Sequence, residues 1–564
     1  MLTGEQWNFV KIYERSLRDN WDREAVTDYG TDKTLTYGQL AEQIAKLHII
    51  FRSCGIRKND RIALMGRNNS NWITVYLASV LYGATIVPIL QDFRPNDALH
   101  IINHSESKLL FISDSIWEGL DIEQMLDVEV VFSLTDFHLL ATVLNGSGAS
   151  RIDFTWQAVE DVYRDHFPNG LQAADVHFDE RSNVDIASIN YTSGTTGFSK
   201  GVLTPCNALA GNIKLAFDSG LIFPGCRHVA FLPLAHAYGC AFDLLSCLAA
   251  GGHTYLIGRT PAPKVLLKAF AEVKPTTILT VPLVLEKIYK KMIVPHISTG
   301  PISWVLKVPL LDEVVYKKIC DSLVQAFGGS FREVIVGGAP LNPEVEAFLH
   351  RIKFPFTVGY GMTECAPLIS YIPATAFRVG SCGKALEGLM EARISNPDSQ
   401  GIGEIEVRGE NVMQGYYKNQ EATQGIFTAD GWLKTGDLGT IDSDGYLYIK
   451  GRNKTMMLGA NGQNIYPEEI EAKLNNMPFV LESLVIQHEG KLIALVCPNF
   501  EEVDAANMNR EQVEAQMETN RKWVNEQLAA YEQIARIKLF QHEFEKTPKK
   551  SIKRFLYTSI SNIE

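Results

Sequence analysis

Apolar positions alternate between helical and strand-like spacing along the first 180 residues. Tyr37 to Cys54 has the periodicity of a helix that stops at Gly55. Arg61 to Met65 reads as a strand, Trp72 to Tyr82 as a helix ended by Gly83, and Leu109 to Ile112 as another strand. Strand–helix–strand alternation predicts α/β layering with parallel pairing. The pattern resumes after residue 200. Buried strands are expected at Thr276 to Thr280 and Glu333 to Val336, with a helix at Asp312 to Phe327 capped by Gly328 and Gly329. From about residue 385 short strands with turn signals take over. GIGEIEVRG is followed by DSDGYLYIKG, whose Asp444-Gly445 marks a hairpin, and a small β-rich subdomain is expected. Beyond Gly451 the pattern is mixed. A helix is expected from Pro467, where Glu468 and Glu469 complement its dipole. Strands are expected at Leu484 to Ile486 and Leu492 to Val496, and a charged amphipathic helix over Glu511 to Tyr531. A domain boundary is placed near residues 451–454.

Composition narrows the classes. The 564 residues are 46% hydrophobic and 21% charged, which argues against disorder across the chain. The 65 acids outnumber the 53 bases, for a net charge of −12, so a phosphate backbone would be repelled and nucleic acid is disfavoured as a partner. Nine cysteines, an odd number, include no C-x-x-C pair and no zinc-finger spacing; buried thiols in a reduced, cytoplasmic protein are the expectation. The N-terminal MLTGEQWNFVKIYERSLRDN lacks a signal-peptide run. The longest apolar stretch, Tyr76 to Leu90, is interrupted by Gly83 and Pro88 and is shorter than the roughly 20 residues of a membrane span. No integral membrane segment is expected.

The chemistry concentrates first in YTSGTTGFSKGV (191–202). Thr192, Ser193, Thr195, Thr196 and Ser199 supply hydroxyls, Gly194 and Gly197 let backbone N–H groups turn towards an anion, and Lys200 adds charge. The preceding strand-like Val184 to Asn190 would set this loop at a strand end. It is not the P-loop of nucleoside triphosphatases, because Ser199 precedes Lys200 and Gly201 follows it. By composition alone the segment reads as a phosphate cradle or as a polar surface loop.

The segment resembles the phosphate loop of the adenylate-forming (AMP-binding) superfamily, which includes acyl-CoA synthetases, peptide-synthetase adenylation domains and beetle luciferases. Further blocks match in the same order: FLPLAHAYG (231–239), VGGAPL (336–341), GYGMTE (359–364), VGSCGKAL (379–386), GWLKTGDLG (431–439), GRNKTMMLGANGQNIYPEEIE (451–471) and KTPKKSIKR (546–554). VPLVLEKIY (281–289) is similar to a signature of the bacterial long-chain acyl-CoA synthetases, although that branch usually has Arg where Leu283 stands. The resemblance implies an α/β protein. Its large N-terminal domain (1–450) would hold two mixed α/β layered subdomains plus a small β-barrel-like subdomain. A hinge (451–454) and a small mobile α+β C-terminal domain (455–564) would follow.

The resemblance also implies roles. Tyr360 would pack on adenine, opposite Gly338, Ala339 and Pro340, and Gly361 would belong to the same nucleotide site. Thr363 would bond the α-phosphate, Glu364 would hold Mg²⁺, and Asp437 and Arg452 would bind the ribose and phosphates. His236 and Gly337 would line the acyl site. Lys454 would be the pivot, and Gly462 would reach the tunnel for the CoA thiol. The family's C-terminal catalytic lysine aligns with Ser551, and the neighbouring Lys550 is expected to substitute for it. Without the resemblance, Tyr360 reads as a core tyrosine, Asp437 as a turn residue, His236 as a packed histidine and Lys454 as a solvent-exposed lysine. The implied reaction is ATP- and Mg²⁺-dependent activation of a fatty acid to acyl-AMP, then transfer to CoA, with peripheral membrane contact possible. The alternatives are another acid (aryl or amino), acyl-carrier protein as acceptor, or a weakly catalytic acyl-binding paralogue. Asp243 is offset from the acid that pairs with an amino group in peptide-synthetase domains, which disfavours amino-acid substrates.

Overall fold

The computed structural model describes residues 5–142, 155–192, 200–258, 262–297, 311–458, 463–547 and 552–557. Its largest sheet has eight strands, in the order Gly415–Tyr416, Lys200–Pro205, Ile186–Thr192, Thr85–Ile89, Arg61–Met65, Ser107–Ile112, Val130–Ser133 and Leu139–Thr142. The middle of this sheet is parallel, as the alternation predicts, and both ends are antiparallel. The long apolar stretch divides between two elements of it. The helix Ser70–Tyr82 is buried almost all round and ends on Gly83, whose φ of +91° a side chain would strain. The chain then enters the fully buried strand Thr85–Ile89. This strand meets Ile186–Thr192 only at Ile86 opposite Ser188, so Pro88, which has no N–H, sits beyond that pairing.

Two further sheets complete the layers. One runs Arg227–Ala230, His253–Leu256, Glu24–Asp28 and Thr34–Thr36, and the other is the parallel set Ile278–Thr280, Val334–Val336 and Phe356–Val358. The helix Leu311–Ala326 is followed by Gly328 and Gly329, both at positive φ, where the glycine cap is expected. The β-rich region forms an antiparallel sheet of Met390–Ser395, Gly403–Gly409, Leu433–Ile441 and Leu447–Arg452. Its outer strands do not pair among the described residues, so the expected barrel-like subdomain is an open sheet.

After residue 457 the apolar residues form clusters of their own, built on the strands Val480–His488, Lys491–Pro498 and Ile534–Leu539 and the helices Pro467–Leu474 and Arg510–Asn525. The helix expected over Glu511 to Tyr531 stops at Asn525. The Asn525 side chain accepts from Ile534 N–H (2.8 Å) and donates to Ile534 C=O (2.9 Å), folding the chain back onto the last strand. Contacts to the preceding part of the chain include Arg94–Glu545 (3.0 Å), Lys450–Glu469 (3.5 Å) and Lys290 donating to Asn475 C=O (3.0 Å). No helix among the described residues is long and apolar enough to cross a membrane.

One buried acid sets a pH test. Burial pushes the Glu346 carboxyl up to about 7, against the bond it accepts from Gly380 N–H at 2.6 Å. A folded pKa above the unfolded value means that folding retains a proton. The group's contribution is therefore fully present below the unfolded pKa of 4.5 and is lost as pH rises through 7. Glu346→Gln keeps the acceptor and removes the charge. It should stabilise the protein by on the order of 1–3 kcal/mol at about pH 8 and by little at about pH 4. Urea midpoints at both pH values check this, and equal shifts at the two would contradict it.

Candidate active site

The phosphate-loop positions Ser193, Gly194, Thr195, Thr196 and Gly197 lie outside the described residues, as do Gly462 and Lys550. The two ends of the loop are described. Thr192 closes one strand and Lys200 opens the next, and the two are direct cross-strand partners. Whatever bridges them starts and finishes at one point on the sheet. Lys200 Nζ stands 4.8 Å from the centre of the Tyr416 ring, within cation–π range. The Tyr416 hydroxyl donates to Glu364 Oε1 (2.9 Å). Tyr416 is positioned by the short edge strand Gly415–Tyr416, which pairs with Lys200–Pro205. Burial, and then the Glu364 charge, push its phenol well above the ordinary range, so it stays a donor. Lys200 and Glu364, 164 positions apart in the chain, are thus gathered on one aromatic side chain. The sequence reading missed Tyr416, because in MQGYYKN it is one of two adjacent tyrosines with no distinguishing context.

A second cluster forms four residues upstream of Glu364. The buried Tyr360 donates its hydroxyl to Asp437 Oδ2 (2.7 Å), and Arg452 Nε meets Asp437 Oδ1 at 3.1 Å. Asp437 and Arg452 are register partners on the paired strands Leu433–Ile441 and Leu447–Arg452, which explains the contact. Burial pushes the Asp437 carboxyl up, while Arg452 and Tyr360 pull it back down. The Arg452 side chain is 70% exposed, so its remaining donors face outwards. Between the clusters the chain must approach itself closely: a Cβ on Gly361 would lie 2.1 Å from Pro367 C=O. Thr363 and Glu364 follow in a single 3₁₀ turn, half-buried.

The other predicted residues group around Tyr238. His236 immediately precedes the short helix Ala237–Gly239, and Tyr238 donates to Ile335 C=O (3.0 Å). A Cβ on Gly337 would sit 3.2 Å from the Tyr238 ring, so the His236 turn and the Gly337 loop are neighbours. Gly338, at φ +87°, and the exposed Ala339 and Pro340 continue that loop. Asp243 lies deeper, only 1% exposed, beside His228. Leu283 is half-exposed on the helix Pro282–Ile288. Lys454 is exposed just beyond the strand Leu447–Arg452. In the basic C-terminal segment, Lys546, Lys553 and Arg554 are held by local carboxylates: Lys546 by Glu482 (2.8 Å), Lys553 by Glu545 (2.6 Å) and Arg554 by Glu471.

A polar loop with a lysine and a carboxylate at its base, and a carboxylate–arginine pair bonded to Tyr360 four residues before that carboxylate, suits a ligand with phosphates at one end and a diol at the other. Residues 13–417 match the family model described as AMP-binding enzyme. The chain belongs to this family. It is an AMP-binding enzyme.

Among its relatives, the long-chain-fatty-acid–CoA ligase FadD15 of Mycobacterium bovis is 29% identical over 497 residues, covering 84% of this chain and 77% of that one. The peroxisomal long chain acyl-CoA synthetase 7 of Arabidopsis thaliana is 28% identical over 531 residues, covering 87% and 72%. The fold is that of ATP-bound MatB from Rhodopseudomonas palustris (TM-score 0.73, 24% identity, 97% of this chain and 98% of that one). It is also that of the anthranilate CoA ligase AuaEII bound to anthranoyl-AMP (TM-score 0.73, 21% identity, 98% and 96%).

In this AMP-binding enzyme Tyr416 should couple Lys200 to Glu364. Tyr416→Phe keeps the ring and deletes the donor. It should slow ATP-dependent AMP formation roughly tenfold, the cost of about one hydrogen bond to a charged group. Tyr416→Leu, which also removes the ring, should slow it further. Rapid-quench measurement of AMP formation checks both, and wild-type rates in the two variants would contradict the coupling.

Proposed function

We propose that this AMP-binding enzyme is an AMP-forming acid–thiol ligase. It activates a fatty acid with ATP and Mg²⁺ and transfers the acyl group to CoA, in the cytoplasm. The observation that carries the reading is the five-residue segment Tyr360–Glu364. Its first residue touches Asp437 and its last is linked through Tyr416 to Lys200 at the base of the phosphate loop. Long-chain acid–CoA ligases among the relatives support a fatty acid as the substrate.

In this reading the ribose diol of ATP takes the Asp437 carboxylate, Arg452 reaches the ribose and phosphates, and adenine lies between Tyr360 and the Gly338–Pro340 loop. Thr192 and the loop through Gly197 wrap the phosphates, Lys200 offsets their charge, and Thr363 bonds the α-phosphate. Glu364 would hold Mg²⁺. Its carboxylate fits a hard cation, and the metal would supply further neutralisation of the phosphates. With the chain's own groups holding the α-phosphate in line, the acid oxygen attacks phosphorus and pyrophosphate leaves. His236 and Gly337 orient the acyl carboxylate. Residues 1–450 form the adenylating domain and 455–564 a small domain that turns about 451–454. Lys550 serves the first, adenylate-forming orientation, and the turn at Lys454 then brings Gly462 to the incoming thiol.

The test separates the half-reactions over a panel of fatty, aryl and amino acids, with CoA or acyl-carrier protein as acceptor. Wild type should form thioester and AMP with a fatty acid and CoA. Lys200→Ala, Glu364→Ala and Lys550→Ala should lose acyl-AMP formation by at least about a hundredfold. Lys454→Pro, which fixes φ at the pivot, should keep acyl-AMP formation and lose transfer. Preference for an aryl or amino acid would overturn the substrate. Equal loss of both half-reactions in Lys454→Pro would overturn the pivot.

A further inference from the structure

Away from the nucleotide site, Cys226, His228 and Cys247 meet in the core. Cys226 and His228 flank Arg227 at the start of the strand Arg227–Ala230, so their side chains leave on one face. Cys247 arrives from the end of the helical run that begins after His236, and Asp243 lies four residues before it on the same run. None of the four is more than 1% exposed. The two sulfurs are 3.8 Å apart, and both sulfurs and a His228 ring nitrogen lie within 4.8 Å of one another.

Three features of this cluster suit a soft divalent cation. First, two metal–sulfur bonds of about 2.3 Å at a tetrahedral angle put the sulfurs about 3.8 Å apart, far from the roughly 2 Å of a disulfide. Second, His228 Nδ1 faces Asp243 Oδ1 at 3.4 Å, whereas the buried Nε2 has no hydrogen-bond partner among the described residues. A carboxylate behind one nitrogen with the other left over is how a metal-ligating histidine is oriented. Third, Gly252 makes room: a Cβ there would lie 2.5 Å from Cys226 Sγ and 2.7 Å from Cys247 Sγ. Thiolates and imidazole favour Zn²⁺ over Mg²⁺ or Ca²⁺, and two thiolates leave Zn²⁺ neutral in the core. Spacing alone rejected zinc, because Cys-x-His followed nineteen residues later by Cys matches no local zinc pattern. The fold supplies the proximity.

We propose that Cys226, His228 and Cys247 bind Zn²⁺, with Asp243 orienting the imidazole. The ion would fasten the helical run that follows His236 to the sheet beneath it, a structural role independent of the ligase reading. Zinc analysis of untagged protein by plasma mass spectrometry should find close to one ion per chain. Cys226→Ser and Cys247→Ser should carry essentially none, while Cys54→Ser, at a buried cysteine elsewhere, retains it. Wild type grown in zinc-depleted, cobalt-supplemented medium should show thiolate-to-cobalt charge-transfer and tetrahedral d–d bands, a readout that needs no variant to fold. Metal-free protein from both media would overturn the proposal, and so would zinc retained by both serine variants.

Discussion

The site depends on one short stretch of backbone that is held at both ends. Tyr360 is fixed by its bond to Asp437, and Glu364 by the bond it accepts from Tyr416. Asp437 belongs to the open β-rich sheet and Tyr416 to the edge of the eight-stranded sheet. Residues 360–364 therefore connect two sheets that share one apolar core, and the spacing between the Asp437 pair and the Glu364–Lys200 group is set by covalent geometry. Gly361 is part of this constraint, since a side chain there would collide with Pro367. A preorganised frame of this kind holds charges where they are needed without reorganising at the moment of reaction.

Much of the fold was legible because local signals and tertiary packing agree. The strand Arg61–Met65 and the glycine stops at Gly83 and Gly328 lie where hydrophobic spacing and backbone freedom place them. What was not legible depends on partners distant in sequence. The helix after Arg510 ends early because Asn525 is recruited by Ile534. The β-rich region is an open sheet whose outer strands do not pair among the described residues, which turn signals cannot report. In the site, the blocks around Tyr360, Glu364 and Asp437 were visible as motifs. Tyr416 was not, since its role comes from an edge-strand pairing with Val202. Cys226, His228 and Cys247 were invisible as a group for the same reason.

The C-terminal segment shows how charge placement divides labour within a basic run. Lys546, Lys553 and Arg554 are each tied to carboxylates of their own region, by Glu482 and Glu543, Glu545, and Glu471 respectively. Arg554 also approaches Glu468, at the start of the helix Pro467–Leu474. These pairs anchor the tail to the small C-terminal sheet and helix. The Arg94–Glu545 pair, by contrast, links that region to the start of the helix Pro95–His104, which packs on the middle strands of the large sheet. Both of its partners are substantially exposed, so it is weak and screened by salt.

In the proposed reaction the Tyr360–Glu364 frame aligns ATP for attack by a carboxylic acid before any thiol is involved. The most direct measurement is exchange of labelled pyrophosphate into ATP with CoA absent. Exchange should require a fatty acid and Mg²⁺ and proceed without thiol. Exchange that needs CoA, or thioester formed with release of ADP and phosphate instead of AMP and pyrophosphate, would contradict it.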